Sequence, residues 1–501
     1  MIPSSDSHNS TLGLNNTSLN DNVFCDNNFS FCCISQLDVL ECFHNIRSNA
    51  IGLDNLHPVF VKSLLPFLLP YITYIFNNIL TKSVYPESWK IAKIIPIRKS
   101  NNDFRPIAIL SYLSKVFEIV MYRQINEFFI RSKFFTDKQS GYRSKRNCTT
   151  ALIDVVEDIR EKVDNSEIAF LLLLDHSKAF DTIDHKTLCH KLINLYNIGP
   201  SAVKLIFSYL NGRSQSIFLD GMSSSVLPIR SGVPQGSVMG PFLFSVHVND
   251  LPKVLKKCNI HMYADDVQLY TSCKKNNVSA CVDGINRELT LVYDWATKNN
   301  LRINPTKTKC ILIYKNNSVN LELIPKIVIN NEPVEYVNTV KNLGVIFNTS
   351  LSWNNHIYAA IGKVYGMLRV LWTTQYFTPF KIRMLLAKTY LIPTLFYSCE
   401  IFANCDTISN RKINVAFNNI ARYVFNIKRF DHISIYSKEM LGMSLNNFLN
   451  FRTITLIHKI ISDKEPTYLY HKLTFTKSNR INQIIHKKYK YLVFGILYLQ
   501  I

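Results

Sequence analysis

Two adjacent carboxylates interrupt an apolar part of the chain. Asp265 and Asp266 stand in the stretch "HMYADDVQLY", whose flanks are typical of β-strands, whereas Asp is depleted in strands. The stretch could be a hairpin that turns at the two Asp, but hairpin turns usually contain Gly or Asn to supply a positive φ, and neither is present here. The pattern therefore favours a chemical role for the pair over a purely structural one.

A third carboxylate, Asp175, follows the six apolar residues "AFLLLL", which predict a buried strand. Taken alone, Asp175 could equally cap a following helix. If this strand and the Asp265 hairpin lie side by side in one sheet, Asp175 and Asp265 converge although they are 90 residues apart. Crowded carboxylates repel each other, and divalent cations such as Mg²⁺ relieve the repulsion and leave positions for substrate phosphates. Two such ions suit in-line phosphoryl transfer, so the set indicates nucleotidyl transfer.

The charge of the chain indicates a polyanionic partner. The 501 residues include 57 Lys+Arg and 36 Asp+Glu, a formal net charge of +21, and 20 Lys+Arg against 6 Asp+Glu lie between Asn355 and Ile501. Nucleic acid is the commonest partner of such a surface, although a solvated Lys/Arg face that maintains solubility is the alternative. The length predicts two or more domains.

The cysteines and one apolar segment indicate in which compartment the protein is expected. Twelve cysteines without a C-x-x-C pair or a signal peptide predict reduced, mostly buried thiols in an intracellular protein. The segment "FVKSLLPFLLPYITYIF" is interrupted by Pro66 and Pro70, and its apolar runs are far shorter than the ~18 residues that crossing a membrane requires. We therefore expect a buried helix pair here and no membrane contact.

Helical and strand patterns alternate in blocks. The first ~35 residues, rich in Asn, Ser and Asp, predict disorder. A helical region then carries one strand-loop-strand element, "WKIAKIIPIRKS" and "FRPIAIL", and later β segments cluster between residues 165 and 350 with helices on both sides. Two hairpins are expected in that cluster, one turning at Gly221 and one at the Asp pair. The fold class is therefore α+β.

Nine motifs in order resemble the reverse transcriptases of non-LTR (LINE-type) retrotransposons, most of all the jockey group of animals. Five are "FLLLLDHSKAFDTIDH", "SGVPQGSVMGPFLFSVHVNDL", "MYADDVQLY", "WATKNNLRINPTKTKCIL" and "VKNLGVIFNTSLSWNNHI". Four lie upstream: "SNAIGLDNLHP", "PESWKIAKIIPIRKS", "DFRPIAILSYLSKVFE" and "QSGYRSKRNCTTAL". The resemblance covers roughly residues 40 to 465, and its departures, such as His176 in place of a more apolar residue, leave the three carboxylates intact.

The resemblance implies a right-hand polymerase with an antiparallel-sheet palm and mostly helical fingers and thumb. The boundaries it predicts are a disordered leader over residues 1–38, fingers over 39–165, a palm with a primer-positioning hairpin over 166–350, and a basic helical thumb and C-terminal region over 351–501.

It also implies roles for ten residues. Asp175, Asp265 and Asp266 would be catalytic and would bind two Mg²⁺ ions, with Mn²⁺ as an alternative. The bulk of an aromatic ring at position 180 would exclude a ribose 2′-hydroxyl, although Phe180 could also be a core residue. Without the resemblance, the pattern "GVPQGS" predicts only a turn that leads into a helix, and each Lys or Arg on the surface would simply be solvated. The residues assigned to nucleotide and template binding are Phe180, Gln235, Gly236, Arg105, Arg143, Lys93 and Lys307.

The implied activity is that of an RNA-directed DNA polymerase, which transfers a nucleotide from a dNTP to a primer 3′-hydroxyl on an RNA template. The expected partners are the RNA template, a DNA primer, the RNA/DNA hybrid and dNTPs, in the nucleus and/or the cytoplasm. Because no endonuclease motif is found, we expect the polymerase portion of an element whose endonuclease is encoded elsewhere. The alternatives are a catalytically inactive nucleic-acid-binding remnant and a maturase of the group II intron type.

Overall fold

Helices and short strands alternate along the chain in the computed structural model, which describes residues 28–46, 48–100, 103–315, 324–403, 405–428 and 430–473. The helices are α1 Gln36–His44, α2 Pro58–Ser63, α3 Leu65–Lys82, α4 Tyr112–Arg131, α5 Cys148–Asp164, α6 His185–Tyr196, α7 Pro200–Leu210, α8 Met239–Val248, α9 Val278–Lys298, α10 Asn354–Thr373, α11 Phe380–Leu386, α12 Ile392–Leu395, α13 Cys399–Phe402, α14 Thr407–Phe425, α15 Ser434–Leu441, α16 Leu445–Asp463 and α17 Thr467–Tyr470.

The strands are β1 Ile91–Ser100, β2 Asp103–Ile109, β3 Ile168–Leu174, β4 Ser214–Leu219, β5 Met222–Ser223, β6 Leu227–Pro228, β7 Asn259–Tyr263, β8 Asp266–Cys273, β9 Lys309–Ile313, β10 Val328–Ile329, β11 Glu332–Pro333, β12 Glu335–Tyr336, β13 Thr339–Asn342 and β14 Val345–Asn348. These elements form two compact units. The first unit comprises the described residues of Met1–Ser132, His185–Arg230 and Gly236–Met239, and the second comprises those of Lys133–Asp184, Ser231–Gln235 and Gly240–Ile501. The boundaries expected at residues 39, 166 and 351 stay a prediction.

The first unit contains a sheet in the order β2-β1-β4-β5, with β6 beside β4. The expected strand-loop-strand element is the antiparallel pair β1–β2, and β4 joins β1 in parallel. The hairpin expected at Gly221 is also present, because β4 pairs with β5 and Gly221 takes a φ of +80° between them. Aromatic side chains such as Phe76, Tyr85 and Phe117 fill the core of this unit.

A helix lies partly within the leader that the sequence predicts. The leader predicted over residues 1–38 falls partly outside the described residues, which begin at 28. Phe29 forms a bridge with Ile198, and Ser35 caps α1 in a capping box with Asp38. A helix therefore starts inside the predicted leader, because a Ser three residues before an Asp supplies the first turn with hydrogen-bond partners.

The second unit is organised around a sheet in the order β12-β9-β3-β8-β7. Its central strand β3 is almost entirely buried and pairs antiparallel with both β8 and β9. A continuous apolar strand is what a position covered on both faces requires. The core beside this sheet includes α5 and extends into the C-terminal helices, with members such as Val156, Leu171 and Phe417. The sequence-predicted α5 and β3 are confirmed.

Two expectations about apolar residues are only partly right. The predicted helix pair is present as α2 and α3, but Phe67, Tyr71 and Tyr74 on α3 are 75%, 70% and 70% exposed, so the pair is not buried.

Every cysteine in the described ranges is a free thiol, and five of these eleven are buried, so the prediction of mostly buried thiols is wrong. Among the described residues, no helix combines the length and apolar character needed to cross a membrane.

Glu157 on α5 makes the stability of the second unit depend on pH. Its side chain is 8% exposed, and burial raises its pKa from 4.5 to about 7 in spite of nearby Arg160. A raised folded-state pKa means that folding stability is lost as the pH rises from the unfolded value through about 7. Glu157→Gln should therefore stabilise the protein by about 3 kcal/mol at pH 8 and hardly at all at pH 4.5.

The measurement is the thermal transition of both proteins across this pH range. Glu161→Gln is the matched control, because Glu161 lies exposed on the same helix. An equal effect of Glu157→Gln at pH 4.5 and pH 8 would contradict the assignment.

Candidate active site

The turn between β7 and β8 carries Asp265. The two strands pair antiparallel from Met262↔Val267 to Tyr263↔Asp266, which leaves Ala264 and Asp265 as the loop. Ala264 supplies the positive φ, +56°, that we expected only from Gly or Asn. The hairpin therefore turns at Ala264 and Asp265 rather than at both Asp, because Asp266 pairs with Tyr263 and so already belongs to strand β8.

Asp175 lies directly after the central strand. The last β3–β8 pair is Leu174↔Val267, so the same register continued by one residue places Asp175 opposite Asp266. The predicted adjacency of the two β segments is confirmed. The alternative role of Asp175 as a helix cap is wrong, because the next helix, α6, begins only at His185.

A loop after α9 holds the backbone of Asp175. The Asn304 amide donates to the Asp175 carbonyl at 2.8 Å, and the Asp175 amide donates to Thr308 Oγ1 at 3.3 Å. The Asn304 side chain also accepts from the amides of Thr306 at 3.1 Å and Lys307 at 3.3 Å, which is the Asx-turn chemistry that stabilises short loops. The predicted nucleotide-binding Lys307 is exposed in this loop.

His176 links the two carboxylate-bearing segments. Its Nδ1–H donates to the Asp265 carbonyl at 3.2 Å, and its Nε2 has no hydrogen-bond partner within the described part of the chain. Burial lowers the pKa of His176 although the Asp265 carbonyl and two nearby carboxylates oppose the shift, so the ring is neutral at pH 7. The sequence showed His176 only as a departure from its relatives, and nothing local signals its contact 89 residues away.

Phe180 is fixed through both its backbone and its ring. The Val233 amide donates to the Phe180 carbonyl at 2.9 Å. The ring stacks on Phe244 at a centroid distance of 4.4 Å and meets Tyr142 edge-on at 6.2 Å. It remains partly exposed, so it is neither a buried core residue nor a mobile surface side chain.

The "SGVPQG" loop packs closely on the segment that contains Phe180. Gly232 has a φ of +84°, and a Cβ at this position would lie 2.7 Å from the Asp181 Cα. The Gln235 side chain donates to Asp181 Oδ1 at 2.9 Å. Gly236, in the first unit, has a φ of +118°, and its Cβ would lie 2.6 Å from the Ala108 carbonyl oxygen. Both glycines thus allow the backbone of another segment to approach closely.

The close approach of Gly232 predicts a specific loss of stability. Gly232→Ala combines a strained φ with a backbone clash and should destabilise the second unit by more than about 2 kcal/mol. Gly284→Ala on α9 is the matched control, since its Cβ meets nothing within 4 Å and alanine should add about 0.5–1 kcal/mol. Denaturant unfolding of both variants tests this, and two equal midpoints would contradict it.

The predicted cations lie in different surroundings. Arg143 donates to the Thr136 carbonyl at 2.7 Å and lies over the Phe135 ring, and burial lowers its pKa to about 10, so it stays charged at pH 7. Lys93 Nζ lies 4.6 Å from the centroid of the Phe218 ring on the first-unit sheet. Arg105 is exposed on β2 of the same sheet.

The carboxylates offer oxygen donors but are not gathered around one point. Within the described ranges, no group of three or more His, Cys, Asp or Glu side chains is arranged to hold a metal ion. No ion pair of the described residues uses the Asp175 or Asp265 carboxylate, so neither charge is neutralised by a neighbouring Lys or Arg. Donor type and backbone register fit a hard divalent cation, and binding would require the side chains to reorient.

Comparison with known proteins decides the family. Residues 97–347 match the family described as "Reverse transcriptase (RNA-dependent DNA polymerase)", which is half of the chain and includes all three Asp. The chain belongs to the reverse transcriptase family. The α+β class and the resemblance to non-LTR retrotransposon enzymes are thereby confirmed, and reverse transcriptases generally use divalent metal ions.

Three relatives of this reverse transcriptase are curated proteins of flies. The RNA-directed DNA polymerase from mobile element jockey of Drosophila melanogaster is 28% identical, covering 67% of this chain and 37% of the relative. Its counterpart in Drosophila funebris is 31% identical, covering 58% and 32%. The probable RNA-directed DNA polymerase from transposon BS of Drosophila melanogaster is 26% identical, covering 80% and 45%. The chain thus spans less than half of the length of these relatives.

Proposed function

We propose that this reverse transcriptase is an active RNA-directed DNA polymerase of a non-LTR retrotransposon. It transfers a nucleotide from a dNTP to a primer 3′-hydroxyl on an RNA template. The observation that carries the proposal is the β3–β8 register, which brings Asp175 beside the Asp265–Asp266 turn in a chain of this family.

In this proposal Asp175, Asp265 and Asp266 hold two Mg²⁺ or Mn²⁺ ions. Bound divalent cations would neutralise the charge that develops on the attacking hydroxyl and on the pyrophosphate. The chain itself would contribute the three carboxylates at the ends of two adjacent strands, and the Asn304 loop and His176 hold the backbone of Asp175 and Asp265.

The remaining predicted residues would bind nucleotide and nucleic acid. Support is strongest for Phe180, whose fixed and partly exposed ring suits a barrier to a 2′-hydroxyl, and for the exposed Arg105. Arg143 has less support as a phosphate ligand, because its guanidinium already holds the Thr136 carbonyl. The proposed nucleotide and template set remains Phe180, Gln235, Gly236, Arg105, Arg143, Lys93 and Lys307.

The proposed domains follow the sequence prediction, with fingers over residues 39–165, a palm over 166–350 and a basic thumb over 351–501. The hairpin β13–β14, which contains "LGVIF", would position the primer end. The basic thumb would grip the template–primer duplex through its phosphates, an interaction that salt weakens. We propose action in the nucleus and/or the cytoplasm, together with an endonuclease of the same element.

Primer extension tests this function. The protein is incubated with a DNA primer annealed to an RNA template, four dNTPs and Mg²⁺, with EDTA in a parallel reaction. Extension of the primer to the template end with Mg²⁺, and none with EDTA, is the expected result. Salt-sensitive binding of the RNA/DNA hybrid without any nucleotide incorporation would instead identify an inactive remnant.

A further inference from the structure

We infer that Gln139 is a positioning residue for the turn that carries Asp265, and that Gly141 makes its approach to that turn possible. This inference rests on the proposed function for its catalytic consequence. Its structural part concerns residues of the second unit alone.

The segment around Gln139 extends the catalytic sheet beyond its edge strand β7. The Met262 amide donates to the Lys138 carbonyl at 2.7 Å, and the Ser140 amide donates to the Met262 carbonyl at 2.9 Å. Gln139 and Met262 form a parallel bridge through these bonds. The segment is therefore held in register with the strand that leads into the turn.

The Gln139 side chain binds both polar groups of the turn residue Ala264. Gln139 Oε1 accepts from the Ala264 amide at 3.0 Å and from the Gly141 amide at 2.8 Å, and Nε2 lies 3.5 Å from the Ala264 carbonyl. Gln139 is fully buried, so water cannot replace these bonds at no cost. The amide group thus holds a residue next to Asp265 from one side.

Ala264 needs such support because of its conformation. Its φ of +56° is a left-handed value that residues with a Cβ disfavour. A strained residue of this kind persists only where its surroundings fix it, and such strain clusters at functional sites. Gln139 binds Ala264, and His176 binds the carbonyl of Asp265, so the turn is held at two successive residues.

Gly141 permits this close approach. A Cβ at this position would lie 2.3 Å from the Ala264 nitrogen and 2.9 Å from its Cα. Any other residue would push the segment away from the turn or displace the turn itself. Small displacements of a catalytic group lower the rate strongly, since a shift of about 1 Å can reduce it about 100-fold.

The first test is hydrogen exchange of the unmodified protein, which needs no catalytic activity. The Ala264 amide, bonded to a buried side chain, should exchange at least about 100-fold more slowly than a free peptide amide. Exchange at the free rate would overturn the inference whether or not the protein polymerises DNA.

The second test replaces Gln139 with Met, which keeps the size of the side chain and removes its polar groups. Gln124→Met is the matched control, because Gln124 likewise binds both the amide and the carbonyl of one residue, Cys32, at 2.8 and 2.9 Å. We expect Gln139→Met to speed exchange in the peptide around residues 260–268 and to lower kcat about 10- to 100-fold, with the KM for dNTP within threefold.

Three outcomes separate the inference from the proposed function. Unchanged exchange and unchanged kcat in Gln139→Met would overturn the inference, as would an equal loss of kcat in Gln124→Met. If the parent extends no primer, the proposed function fails and the exchange rates alone decide the role of Gln139. Gly141→Ala provides a second variant. If the turn at Ala264 and Asp265 exchanges hydrogen at the parental rate in this variant, that result would also count against the inference.

Discussion

Asp265→Asn should reduce RNA-templated primer extension by at least about 1,000-fold and leave binding of the RNA/DNA hybrid intact. Asn has the same size as Asp, so the turn at Ala264 and Asp265 can keep its shape while one ligand charge is lost. The expected loss of activity is larger than the 10- to 100-fold loss that typically follows when a residue hydrogen-bonded to a metal ligand is removed. Asp266, which lies in the strand rather than in the loop, should be less sensitive to the same change.

The assay compares single-turnover extension rates and hybrid affinities of the parent and the variant. Asp283→Asn is the matched control, because it makes the same charge change at an exposed position of α9. Equal extension rates for parent and Asp265→Asn would remove the catalytic assignment. A loss of hybrid binding together with activity would point to a disturbed fold instead.

Phe180→Val should raise incorporation of ribonucleotides relative to deoxyribonucleotides by about 100-fold. The ring stacks on Phe244, and the Val233 amide holds the backbone carbonyl of Phe180, so the ring cannot move aside for a 2′-hydroxyl, whereas the smaller Val leaves room for one. An effect of about 100-fold lies within the 10- to 200-fold discrimination between substrates that the shape of a pocket alone can provide.

The measurement is the ratio of kcat/KM for a ribonucleotide and for its deoxy counterpart on the same primer and template. Phe60→Val serves as the control, since Phe60 is a 64% exposed residue of α2. An unchanged ratio in Phe180→Val would show that this ring does not select the sugar, even if the protein polymerises DNA.

Local patterns predicted the elements well because each depends on residues close in sequence. The apolar run before Asp175 predicted a buried strand, and the strand-like flanks of the Asp pair predicted a hairpin. Local patterns left open whether Asp175 has a catalytic role or caps a helix, because that depends on contacts with residues far away in sequence. The late start of α6 at His185 then excluded the helix cap, and the catalytic role of Asp175 stays a prediction.

Expectations were wrong where a distant contact overrides a local preference. The absence of Gly or Asn suggested an unusual turn, yet Ala264 adopts the positive φ because Gln139, 125 residues away, binds its backbone. Burial of α3 was overestimated because apolar composition does not reveal which face lacks a neighbour.

The sequence by itself determined the α+β class, the family and which three carboxylates are the candidate metal ligands, because the order of residue types along the chain carries that information. The tertiary structure alone decided that β3 pairs with β8 and so brings Asp175 beside the Asp265 turn, and that Gln139, His176 and Asn304 hold the backbone there. These contacts join residues remote in sequence, and they form only when buried strands pair in one register, since a shift by one residue would turn every side chain to the opposite face.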